Sequence, residues 1–271
     1  MKDLKAIIEG YNPNIPIASA STIPASWYTN ERIFRLEKET VFGHSWQFAA
    51  RLDQLRESGN YVTTEIAGEP IVIVRGSDGK VRGFFNVCRH HAAAVMTEAA
   101  GHANQMRCPY HGWTYSLEGE LKGTPDFSGV CEFDRANNGL VPVELGTWGN
   151  WVFARLDGGP SPAPGSSQNS LNEFLGSDLI ARFRVLDISN LSWFEQRRYT
   201  LNCNWKVFVD NYLDGGYHVP HLHKGLDSVL NYSNYMIENG EHFCLQSSPM
   251  VGAKENDKIS AVRTGKRALY Y

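Results

Sequence analysis

The chain has only five cysteines in 271 residues, Cys88, Cys108, Cys131, Cys203 and Cys244, odd in number and widely scattered. This argues against a disulfide framework and leaves metal binding or burial to explain them. Basic residues are not in excess: 26 Lys and Arg stand against 29 Asp and Glu, a formal charge of -3. With no basic run, nucleic acid is not an expected partner. Long apolar runs are missing too, IVIV and AAAVM being the longest patches, so no membrane span is expected. The N-terminal MKDLKAIIEGYNPNIPIASAS lacks the apolar core of a signal peptide, and the expectation is a soluble, cytosolic protein. No internal repeat is visible, and no Gly-rich nucleotide fingerprint follows any strand. The chain is therefore not expected to bind its own NAD or flavin.

What is present is a 42% apolar content, enough for a real core. Residues 24–43 (PASWYTNERIFRLEKETVFG) predict a helix, with Ile33, Phe34, Leu36 and Val41 as its stripe and Asn30 as a candidate N-cap. From Trp46 to about Phe153 the texture is that of a β domain: NYVTTEIAG, EPIVIVRG, KVRGFFNV, MRCPYHGWTYSL and WVFARL are short runs parted by turn residues. Ser77-Asp78-Gly79 and Glu118-Gly119 each read as a hairpin turn. DGGPSPAPGSSQNS, 157–170, reads as a linker or surface loop at a domain boundary. Beyond it RFRVLDISN and SWFEQRRYTLN read as strands, and NWKVFVDNYLD as a helix opening at Asn204. The class is α+β: an N-terminal helical segment over 1–43, an antiparallel β domain over 44–156, the linker, then a mixed α/β part over 171–271.

The stretch NVCRHHAAAV sets Cys88 beside His90 and His91, and RCPYHGWTY repeats the pairing with Cys108 and His111. Each pair falls where a strand ends and a loop begins. Such ligands suit zinc as Cys2His2, or a two-iron cluster with both thiolates on one iron and both imidazoles on the other. Zinc fingers usually pair Cys with Cys and His with His along the chain, so one of each per loop favours the cluster. CRHH followed by CPYHGWTY is similar to the Cys-x-His and Cys-x-x-His motif of Rieske iron-sulfur domains. The resemblance implies that Cys88, His90, Cys108 and His111 hold a [2Fe-2S] cluster, with His91 a bystander.

The second constellation is WKVFVDNYLDGGYHVPHLHKGL, 205–226. On a continuous helix Asp210, Asp214 and His218 would share one face. Gly215-Gly216 and Pro220 interrupt it, and only such a distortion lets His218 and His223, five residues apart, reach one metal. Two histidines plus a carboxylate are the ligands of non-haem Fe(II) oxygenases. The segment resembles the His-x4-His iron motif of Rieske oxygenase α subunits, and DNYLDGGYHVP with HKGL looks most like choline monooxygenase-like members.

That resemblance implies an incomplete catalytic domain after the Rieske domain, with the 1–43 segment packed on it. It implies electrons taken from a ferredoxin or an NAD(P)H-dependent flavin reductase. They pass through the cluster to a mononuclear Fe(II), which uses O2 to hydroxylate a small-molecule substrate, choline or a related quaternary ammonium compound. An aromatic-ring hydroxylating dioxygenase α subunit and a Rieske electron carrier are the alternatives. The family forms homotrimers in which a carboxylate before the first histidine bridges metal sites of neighbouring subunits. Its usual position here is Gly215, so Asp214 is the expected bridge and Asp210 the runner-up. His221, His44, His102 and His242 are read as non-ligands. Tyr212, Tyr217, Tyr232, Tyr235 and Phe243 are candidates for an aromatic cage. Only residues 224–271 follow His223, and Asp227, Glu238, Glu241, Glu255 and Asp257 do not match the family's third iron ligand. The sequence therefore reads as C-terminally truncated, with GKRALYY the start of a strand.

Overall fold

The computed structural model describes residues 4–157, 166–249 and 269–270. Contacts divide the chain into two units, Glu31–Gln196 and Met1–Asn30 with Arg197–Tyr271.

Among the described residues the first unit holds ten strands: β1 (Gln47–Arg51), β2 (Asn60–Ile66), β3 (Glu69–Arg75), β4 (Val81–Phe85), β5 (Ala100–His102), β6 (Met106–Arg107), β7 (Thr114–Tyr115), β8 (Leu121–Gly123), β9 (Pro142–Trp148) and β10 (Trp151–Arg155). Seven form an antiparallel sheet in the order β1-β10-β9-β4-β3-β2-β5, and β6-β7-β8 form a small second sheet. The IVIV run is continuous rather than alternating because both faces of β3 are covered. Val72 and Val74 enter one apolar cluster with Tyr115, Cys88 and Cys108, and Ile71 and Ile73 a second with Val152 and Ala154. All four β3 side chains are fully buried, each worth about 1.5–3 kcal/mol.

Both expected hairpins form. Gly76 N–H donates to the Lys80 carbonyl at 2.8 Å across the first, and Ser116 N–H to the Glu120 carbonyl at 2.9 Å across the second. Gly79 and Gly119 supply left-handed backbone, φ 78° and 90°. The tips are tied together: Ser77 donates to Glu118 Oε1 from its backbone N–H at 2.9 Å and its hydroxyl at 2.6 Å.

Helix 24–43 is not continuous. A turn at Ser26–Thr29 stops at Asn30, whose extended backbone (φ -93°, ψ 112°) precedes helix Glu31–Glu37, and a wider π turn follows over Lys38–Phe42. Asn30 thus has the backbone of an N-cap, so the helix starts there rather than running through it. Part of the expected linker, 158–165, lies outside the described residues. Residues 166–175 are helical instead, and Leu171, fully buried, packs with Trp46 and Leu175. It sits on Gly146 of β9, where a Cβ would come within 2.9 Å of its side chain. The contact boundary accordingly falls near residue 196, not at 157–170. The two expected strands over 182–202 are corrected as well: 177–183 is a helix, single 3-10 turns follow, and 191–200 has no regular structure. Among the described residues no strand pairs with that segment, and an alternating pattern without a partner ladder makes no sheet.

In the second unit Asn204 caps helix Trp205–Leu213, its Oδ1 accepting the Lys206 N–H at 3.0 Å. This is the start expected from sequence. Short turns at Val219–Leu222 and Lys224–Asp227 follow, then the hairpin β11 (Met236–Asn239) and β12 (Cys244–Pro249), which β13 (Leu269–Tyr270) extends. Glu255, Asp257 and most of GKRALYY lie outside the described residues.

Candidate metal centres

Two loops of the first unit share one build. Cys88 N–H donates to the Ala93 carbonyl at 2.8 Å and Ala92 N–H to the Cys88 carbonyl at 3.0 Å; Cys108 N–H donates to Trp113 at 2.8 Å and Gly112 N–H to Cys108 at 3.0 Å. Each loop closes through a left-handed residue, Ala92 (φ 59°) and Gly112 (φ 71°). Asn86, buried at the base of the first loop, accepts the N–H groups of Val95 (3.1 Å) and Met96 (2.9 Å) and donates to the Met96 carbonyl at 2.7 Å.

The loops bring His90, His91 and His111 together, one ring nitrogen from each lying within 4.8 Å of the others. Place in the loop would equate His111 with His91, since each stands third after its cysteine. Burial sets His90 apart from both, since His91 and His111 are exposed. His91 is exposed, whereas His90 Nδ1 is buried with no hydrogen-bond partner. The His90 ring stacks on Trp113 at 4.8 Å and 9°, and meets His111 edge-on at 4.7 Å. Burial first, then His91 and His111, hold its pKa below the usual imidazole value, which keeps the ring neutral and able to donate a lone pair. An unpaired buried nitrogen costs about 1–3 kcal/mol, and a metal at Nδ1 would offset that cost.

Cys88 and Cys108 are both buried, 3% and 2% exposed. Neither thiol joins the imidazole group within its 4.8 Å span. One thiol and one imidazole from each loop are the donor set of a two-iron cluster in which both thiolates hold one iron and both imidazoles the other. Tyr115, fully buried, places its hydroxyl 3.3 Å from Cys88 Sγ and accepts the Arg89 N–H at 3.0 Å. Burial and the bond to Cys88 raise its pKa far above the usual phenol value, so it stays a proton donor toward sulfur. Sequence reasoning missed this residue, although the strand alternation Trp113, Tyr115, Leu117 marked it as inward-facing.

In the second unit the helix ends at Leu213, and Gly215 and Gly216 both adopt positive φ, 75° and 69°. Asp214 nevertheless meets His218 across this turn: Oδ2 pairs with His218 Nδ1, and Oδ1 accepts the Gly216 N–H at 2.9 Å. His218 and His223 come together with ring centroids 5.0 Å apart at 73°. Since Nδ1 of His218 is taken, Nε2 is its available donor, as in carboxylate–histidine–metal triads. Asp210 stands apart, accepting a hydrogen bond from Tyr28 on the N-terminal segment. That bond, more than burial, raises the Tyr28 pKa. His221 is exposed and lies against Tyr217 at 5.6 Å.

Residues 45–134 match the Rieske [2Fe-2S] domain and residues 188–268 the ring hydroxylating alpha subunit (catalytic domain). The chain belongs to the family of Rieske oxygenase α subunits. Within it, the chain is 36% identical over its whole length to choline monooxygenase, chloroplastic, of Arabidopsis thaliana, spanning 64% of that protein. It is 36% identical to the carnitine monooxygenase oxygenase subunit of Escherichia coli K12, over 80% of this chain and 56% of that one. The solved structure of a quaternary ammonium Rieske monooxygenase, described with carnitine oxidation and inter-subunit electron transfer, superposes with a TM-score of 0.71 at 31% identity, over 85% of this chain and 61% of that one.

Proposed function

We propose that the chain is the oxygenase component of a Rieske non-haem iron monooxygenase, with Cys88, His90, Cys108 and His111 holding a [2Fe-2S] cluster and His218 and His223 holding a mononuclear Fe(II). The observation that carries this reading is the buried, unpartnered Nδ1 of His90, whose ring lies 4.7 Å from that of His111, on a loop whose cysteine is also buried. When bound, the two groups supply a one-electron relay from an external ferredoxin or NAD(P)H-dependent flavin reductase and the activation of O2 for hydroxylating a small substrate.

The chain's own side chains define the surroundings. Trp113 stacks on His90 and is walled by Phe127 and Phe133 at 5.8 Å each, which excludes water from the inner face of the loops. Tyr115 directs a hydroxyl proton at Cys88 Sγ, where it stabilises added negative charge. Asp214 fixes the His218 tautomer, and its position before the first histidine suits it to reach a neighbouring subunit in a homotrimer. Asp210, engaged by Tyr28, is set aside as a bridge.

For substrate we favour choline or a related quaternary ammonium compound, because the relative named for choline matches the whole chain and the one named for carnitine matches 80% of it. Tyr217 and Tyr212, both exposed near that pair, offer aromatic faces at about 0.5–2 kcal/mol per cation contact. Tyr235 is otherwise employed, its hydroxyl bonded to Gln246. The ligand set is tested by visible absorbance of anaerobically isolated His90→Ala and His91→Ala variants. The cluster spectrum is expected to vanish in the first and persist in the second, and the reverse result would reassign the ligand.

A further inference from the structure

The two glycines that bend the chain toward His218 are held from outside the helix, by the hairpin. Gln246 of β12 is 4% exposed and bonds twice: its Nε2 donates to the Tyr212 carbonyl at 2.8 Å and its Oε1 accepts the Tyr235 hydroxyl. Tyr212 is in the last turn of helix Trp205–Leu213, where carbonyls have no intrahelical partner, so Gln246 acts as a remote cap. The Tyr235 ring lies against Gly216, where a Cβ would come within 3.2 Å of two ring carbons, and Ile237 lies against Gly215, its Cδ1 at 3.0 Å from such a Cβ. Those glycines carry the turn through which Asp214 reaches both Gly216 N–H and His218.

We infer that Tyr235 and Gln246 are positioning residues for the His218–His223 pair, locking the Gly215-Gly216 turn so that Asp214 holds His218 in the metal-binding tautomer. This rests on the proposed iron site. It also removes Tyr235 from the candidate cage, since ring and hydroxyl are both committed.

The test is Co(II) titration of the cluster-loaded 271-residue chain, followed by the visible bands of the bound ion, with four variants. Tyr235→Phe and Gln246→Leu are expected to weaken Co(II) binding roughly 10- to 100-fold, the usual range for groups that orient a ligand. Ser248→Ala removes a bond elsewhere in the same hairpin, Oγ to the Asn231 carbonyl at 3.1 Å, and is expected to leave affinity unchanged. His218→Ala is expected to abolish the bands. Unchanged affinity in Tyr235→Phe, or an equal loss in Ser248→Ala, would overturn the positioning role. Bands that survive His218→Ala would instead overturn the site itself. Should Gln246→Leu not fold, Tyr235→Phe, which deletes a single hydroxyl, decides alone.

Discussion

Ala92 shows how single residues set the first site. It carries a left-handed backbone (φ 59°) at the place where the sister loop has Gly112 (φ 71°). A β-carbon there costs roughly 1–2 kcal/mol, offset in part by the greater freedom glycine brings to the unfolded chain. Ala92→Gly should therefore raise the denaturation midpoint, by about 0.5–1 kcal/mol in stability, as chemical unfolding would show. Gly112→Ala should lower it, because a Cβ would also press Arg107 and Pro125 at 3.2 and 3.3 Å. Tyr115→Phe should lower the reduction potential in redox titration, since a proton donor at sulfur favours the more negative reduced state. The donor types, and by the Cys-x-His resemblance the choice of His90 over His91, were read from the sequence; the stacking of the His90 ring on Trp113 was not, because it depends on a contact between the two loops.

Among elements, those with a local signal appeared where sequence placed them. The Asn204 cap, the Ser77–Gly79 turn and the IVIV strand each rest on nearest-neighbour chemistry, and each formed. Asn204→Ala should cost about 1 kcal/mol and shorten helix Trp205–Leu213, measurable by circular dichroism. Elements defined by distant partners were not legible. Residues 191–200 alternate like a strand but have no partner ladder among the described residues, and 166–175, rich in Ser and Asn, is a helix because Leu171 finds Gly146 and Trp46. The Asp214–His218 contact survived loss of the continuous helix because two left-handed glycines carried the chain around, a route that helical periodicity does not describe.

At the scale of the molecule, the two units differ in how much they bury. The β unit contains three apolar clusters, with Ile71, Val72, Ile73 and Val74 at 0% exposure, whereas the helix before the histidine pair leaves Val207, Phe208, Tyr212 and Leu213 exposed. Amide hydrogen exchange should accordingly be slowest in β2, β3 and β10 and markedly faster over 205–249. The proposed chemistry requires two different metal centres in one chain. Iron, acid-labile sulfide and zinc should be assayed on anaerobically purified protein beside its His218→Ala variant, with paramagnetic resonance after reduction. We expect two sulfides with three irons, the third lost in the variant, and a reduced-cluster signal in both. Zinc without sulfide, or no signal on reduction, would contradict the account.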